Sequence, residues 1–146
     1  MSMSNTAEAA LLDLLFLNTD WANVGDAGGL QNSAAAGSFF IALHTSDPGE
    51  AGDQTTNEIA YTSYARVAVA RTAGGWTRSV STMSNTALVQ FPQCTGGSGT
   101  ATHFSIGTLT SGAGVIILKG ALSASLAIST GIQPQFSAGA LTATVD

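Results

Sequence analysis

The sequence predicts an all-β fold: a single-domain β-sandwich or jelly roll of about eight short strands, preceded by one N-terminal helix. Three observations carry this. Apolar residues recur with a period of two from residue 38 onward. Clusters rich in Gly, Pro and Asp punctuate the chain between those runs. The alternation of strands and helices that builds a parallel α/β sheet is missing. The 146 residues are one domain's worth. The expected organisation is a single domain over 1–146, with 1–21 as a helical arm and 38–146 as the sandwich.

The helix comes first. Asn5 is a good N-cap residue, and Glu8 three positions later completes a capping-box pattern. Residues 9–17 are rich in strong helix formers, and Asn18 ends the run. This helix is apolar around most of its circumference, so it needs cover on more than one side. Leu11, Leu14, Leu15, Phe16 and Leu17, with Trp21 beyond them, are therefore the candidate residues for self-association or contact with a partner chain. Each such side chain is worth about 1.5–3 kcal/mol when fully buried. A segment anchored on a neighbour and a segment capping its own sandwich are both compatible with this pattern.

The strand candidates follow in order. Residues 38–44 place Phe39, Ile41 and Leu43 on one face. Residues 64–71 place Ala65, Val67 and Val69 on one face, with Tyr64 and Arg66 opposite. Residues 76–80, 88–91 and 103–106 are shorter candidates. Residues 115–118 form a continuous apolar run, which predicts a strand covered on both sides. Residues 122–129 and 141–145 alternate cleanly. Asp47-Pro48-Gly49, Gly74-Gly75, the glycine-rich stretch 95–100, residues 111–114 and Gly139 read as the breaks between strands.

Composition narrows the function. Charged residues are only 9% of the chain, against a usual value of about 25%. Ala, Gly, Ser and Thr fill about half of it. Surfaces this poor in charge suit a protein that is covered by neighbours. The net charge of −5 argues against a general nucleic-acid binder. Eight of the nine acids lie between Glu8 and Glu58, whereas Arg66, Arg71, Arg78 and Lys119 lie in the acid-free stretch beyond. That asymmetry is either an accident of a charge-poor sequence or a basis for pairing between copies, the acidic N-terminal part of one meeting the basic face of another. Arg66 and Arg71, five apart on one expected strand, are candidates for intersubunit or packing charge rather than catalysis. Cys94 is the lone cysteine, so no internal disulfide is expected. The N-terminus lacks the basic start of a signal peptide, and its apolar run is too short for a membrane span.

A catalytic set is not legible. A triad needs Ser or Cys, His and an acid in concert, and the Gly96-Gly97-Ser98-Gly99-Thr100 stretch departs from the nucleophile-elbow pattern at its last position. Cys94 and His103 have no sequence feature that joins them. The acids avoid the central strands, where a glycosidase pair would sit. The densest polar cluster, residues 44–53, offers potential oxygen ligands every third residue, but not in an EF-hand pattern. The reading is therefore non-enzymatic, with no catalytic residue, no metal and no cofactor.

The stretch Ala42-Leu43-His44-Thr45-Ser46-Asp47-Pro48-Gly49-Glu50-Ala51-Gly52, followed by residues 61–71 and by Gly75-Trp76, resembles a family of small structural proteins of tailed bacteriophages. The segments 102–107 and 139–142 fit as well, so the resemblance spans nearly the whole chain. It implies a virion component made in the host bacterial cytoplasm. Such proteins are often labelled tail-fibre proteins, and small β-rich phage proteins of this size also act as capsid cement. A tail fibre usually has length and trimeric repeats, and neither is visible here. The favoured expectation is a capsid cement or decoration protein on the capsid exterior, clamping neighbouring major capsid proteins. A tail or tail-fibre-associated protein is the alternative. A carbohydrate-binding β-sandwich module is the second, with Trp21, Tyr61 or Trp76 exposed in a groove. Expected partners are the chain itself, as a dimer or alternatively a trimer, and the phage major capsid protein; nucleic acid and membrane are not expected.

Overall fold

The computed structural model describes residues 2–145 and is mostly β, with one short helix and antiparallel sheets. The chain divides into two compact units. The first is made of the N-terminal segment to Ser38, Ala70–Leu88 and the C-terminal segment from Phe136. The second is made of Phe39–Val69 and Val89–Gln135.

In the first unit the helix α1 runs Asn5–Phe16. Its N-cap is Ser4 rather than the expected Asn5: the Ser4 hydroxyl accepts from the Ala7 N–H at 3.4 Å. At the other end Asn18 takes φ 53, a left-handed stop that Asn tolerates. Helix α1 packs on a three-stranded sheet of β3 (Trp76–Ser79), β4 (Thr82–Asn85) and β9 (Thr142–Thr144), in the order β3-β4-β9. Leu12 and Phe16 are fully buried, and Phe16 meets Trp76 edge-on with ring centroids 4.7 Å apart. Asp13 on the helix pairs with Arg78 on β3 at 2.6 Å.

The second unit carries a four-stranded sheet, β2-β1-β6-β7, in which β1 is Ser38–His44, β2 is Val67–Ala70, β6 is Ser98–Gly107 and β7 is Ile116–Ser129. Strands β1 and β6 lie inside, and β1 is buried almost continuously from Ile41 to His44. A two-stranded ribbon of β5 (Val89–Gln90) and β8 (Gln135–Phe136) completes the strands.

Several expectations change. The runs 115–118 and 122–129 are one strand, β7. Gly120 does not break it, because a Cβ there would stand 3.0 Å from the Phe104 ring; the glycine makes room for that ring. This strand lies at a sheet edge, so Ile116–Leu118 are half-buried and Val115 is 64% exposed, rather than covered on both sides. The glycine-rich stretch becomes strand from Ser98, where a Cβ at Gly99 would stand only 3.1 Å from the Ile59 side chain, so the glycine makes room for it. Strand β2 is shorter than expected, so Arg66 precedes it and Arg71 follows it. Neither arginine lies on the strand, so the expectation that the two share one strand and, five apart, point to its opposite faces does not apply.

Candidate functional site

The turn between β6 and β7, residues 108–115, is firmly held at the surface. Two side chains from elsewhere in the second unit hold it from beneath. Gln54 is fully buried. Its backbone N–H donates to the Gly114 carbonyl at 3.0 Å, and its Oε1 accepts from the Leu109 N–H at 2.9 Å. Its Nε2 donates to the Phe40 carbonyl at 3.3 Å. A methyl group at Gly107 or Gly114 would overlap the Gln54 side chain, so both positions require glycine. Arg66 supplies the second support, donating to the Leu109 carbonyl at 2.9 Å and the Gly112 carbonyl at 2.8 Å. Leu109 and Val115 project outward, 49% and 64% exposed. The result is a fixed loop that presents apolar side chains to solvent.

Arg66 is itself buried and fixed by a bidentate pair with Glu58, Nε to Oε1 at 2.7 Å and Nη2 to Oε2 at 2.8 Å. The pairing raises the Arg66 pKa further above its ordinary value. The Tyr64 hydroxyl donates to Glu58 Oε1 at 3.0 Å and accepts from the Leu43 N–H at 3.1 Å. Burial pushes the Tyr64 pKa up, so the phenol stays neutral and keeps its proton for Glu58.

Beside this turn lies a shallow groove of about 290 Å3, lined by Gly49, Glu50, Gly52, Ile116, Ile117, Leu118 and Lys119. The Lys119 ammonium sits between Glu50 and Asp47, at 3.0 and 3.1 Å. Glu50 and Asp47 raise the Lys119 pKa. The Asp47 pKa is lowered, first by the Gly49 N–H at 2.8 Å and then by Lys119. The polar cluster at 44–53 thus faces a lysine of its own chain. Among the described residues no three His, Cys, Asp or Glu side chains converge as metal ligands would.

The closest approach to a nucleophile–base couple is Ser105 Oγ and His44 Nε2, 2.8 Å apart. The register pairs Ala42 with Ser105 and His44 with His103, so the two side chains are diagonal neighbours on one sheet face. His44 Nδ1 lies 2.9 Å from the Thr56 carbonyl, which can only accept. Nδ1 therefore carries the proton and Ser105 donates to Nε2. Burial lowers the His44 pKa and keeps the ring neutral. Both residues are 0% exposed, so this couple is a satisfied buried pair without substrate access. Cys94 is buried with its thiol directed at the Gly96 carbonyl, 3.3 Å away, while His103 Nδ1 faces the Thr102 hydroxyl at 2.8 Å.

A family model described as podophage GP4 fiber I protein gp80 matches residues 2–144. The chain belongs to this Gp80 family. It is thus a tailed-phage structural protein by family, and the match carries a fibre description. No curated protein matches it. Among the described residues no helix is long and apolar enough to cross a membrane.

The sequence candidates fall as follows in this Gp80-family chain. Leu11, Leu14, Leu15, Leu17 and Trp21 are half-buried. Phe16 offers no surface to a neighbour, because it is consumed by packing on Trp76 in its own unit. Arg71 caps the C-terminus of α1: it donates to the Leu15 carbonyl, to the Leu14 carbonyl at 2.7 Å and to the Ala36 carbonyl at 3.1 Å. With Arg66, Arg78 and Lys119 also engaged, all four basic residues find partners within the chain. Trp76 and Tyr61 are buried, so they do not form the exposed aromatic groove considered for carbohydrate. Gln54, Glu58, Tyr64 and Ser105 were not singled out by the sequence, since each gains its role only from the strand register.

Proposed function

We propose that this Gp80-family chain is a fibre-type structural component of a tailed-phage virion, and that it works by being incorporated rather than by catalysis. The observation that carries the reading is the match of residues 2–144 to a family described as a fiber protein. It supports the tail-fibre alternative over the capsid cement role that the sequence alone favoured. The internal chemistry agrees with a structural role. The Arg66–Glu58 and Lys119–Asp47 pairs fix loops, and the His44–Ser105 couple is sealed. The turn at 108–115, held by Gln54 and Arg66, is the feature best prepared to meet another virion protein.

Quantitative mass spectrometry of purified virions, and of separated heads and tails, tests this. The expected result is a copy number small beside that of the major capsid protein, in proportion to the fibres. Hundreds of copies confined to the head fraction would overturn the fibre reading in favour of cement.

A further inference from the structure

Strand β7 is the long open edge of the four-stranded sheet, and β6 is its strand neighbour among the described residues. The opposite edge, β2, is only Val67–Ala70 and is flanked by Arg66 and Arg71. Proteins blunt their sheet edges with short strands, charges and prolines. Edge β2 follows that rule, whereas β7 is long and carries as its blunting device the bulge opposite Thr102. It spans 14 residues, and from Gly120 to Ser129 it contains no charged residue and no proline.

Its sequence has a further property. Residues 121–127 read Ala-Leu-Ser-Ala-Ser-Leu-Ala, a palindrome centred on Ala124. When two copies of one strand pair antiparallel about a two-fold axis at residue 124, residue 123 faces 125 and residue 122 faces 126. Every cross-strand pair in this stretch then matches like with like: Ala124 with Ala124, Ser123 with Ser125, Leu122 with Leu126, Ala121 with Ala127. Leu122 and Leu126 share one face of β7, so two copies would gather four leucines on that face. The serines face one another on the other side.

The local geometry leaves this segment available. Ala101 on β6 pairs with Leu126, and His103 pairs with Ala121, so the single residue Thr102 stands against Leu122–Ser125. The centre of the palindrome is thus released from the β6 ladder by a bulge. Ser123, Ala124 and Ser125 are exposed. Lys119, the nearest charge, is held by Asp47 and Glu50.

We infer that β7 is a self-association seam, in which Ala121–Ala127 of one copy pairs antiparallel with the same segment of a second copy about a two-fold axis at Ala124. This goes beyond the virion role and does not depend on it.

The test uses the full-length protein in dilute solution. In this register the two Ala124 Cα atoms lie about 4.5–5.5 Å apart, inside the window of about 4.4–6.8 Å that a disulfide spans. Ala124→Cys is expected to form a covalent dimer under mild oxidation. Ser129→Cys, also at an exposed position, is the control, because its two copies would be about 33 Å apart. The wild type supplies the baseline, since Cys94 is buried. In a second arm, Ala124→Lys places like charges opposite one another and is expected to weaken the dimer about tenfold or more in sedimentation, with an unchanged far-UV spectrum. The inference fails if Ala124→Cys cross-links no faster than Ser129→Cys, if Ala124→Lys leaves the oligomer intact, or if the wild type sediments as a monomer. Cross-linking of Ala124→Cys solely to a different virion protein would overturn it too.

Discussion

Arg66 grips both carboxylate oxygens of Glu58 while its remaining nitrogen hydrogens reach the Leu109 and Gly112 carbonyls, so one buried ion pair sets the position of an exposed loop. Removing one partner leaves the other charge without compensation. Arg66→Met is expected to destabilise the protein by about 3–5 kcal/mol. Pairing it with Glu58→Gln should cost less than the sum of the two single changes. Urea unfolding of the four proteins in the cycle checks this, and additive effects would sink the coupling.

His44 predicts an acid-sensitive window. Burial holds its folded pKa below the ordinary 6.5, so the neutral ring stabilises the fold fully above that value. As pH falls below 6.5 the unfolded chain takes up the proton first, and stability declines until the folded pKa is passed. The slope from this one group is at most about 1.4 kcal/mol per pH unit. Asp47 and Asp53 act in a separate range, since their lowered pKa values begin to matter only near and below 3.8. Unfolding free energies from pH 7 to 4.5 should show the decline in the wild type and a flatter profile in His44→Gln. An equal slope in both proteins would contradict the assignment.

Much of the architecture is legible in the sequence, and the misses have physical causes. Strand β1 coincides with its alternating run, and Leu141, just before β9, and Ala143 within it are buried while Thr142 and Thr144 are exposed. Strand β4 escaped because the turn joining it to β3 has no Gly, Asn or Pro; Val80 adopts φ 55 there instead. Gly99 lies in a stretch that reads as a break, and Gly120 lies between two runs that read as separate strands, yet both serve close packing, against Ile59 and Phe104. The polar partners were less legible still. Ser105 meets His44 across 61 positions, and Arg66 meets Leu109 across 43, distances that only a strand register closes.

Val80 offers a stabilising substitution. A β-branched residue in the left-handed region is strained by about 1–2 kcal/mol, and Val80 is 65% exposed, so little packing would be lost. Val80→Gly is expected to raise the thermal midpoint. An unchanged or lower midpoint, measured by calorimetry, would show that the turn carries no such strain.

Helix α1 separates two roles along its length. Phe16→Ala should cost the free protein about 3–5 kcal/mol, because its ring is buried on Trp76. Leu11→Ser and Leu14→Ser, at half-buried positions, should cost much less and leave a folded chain. Thermal melts distinguish them, and equal losses for Phe16 and Leu11 would contradict the packing described.

The central claim is a place in the virion, and gold-labelled antibody against this protein, imaged by electron microscopy on intact particles, tests it most directly. The account predicts label on the fibres, with the capsid faces bare. Label distributed over the capsid lattice, or particles that bind none, would contradict it.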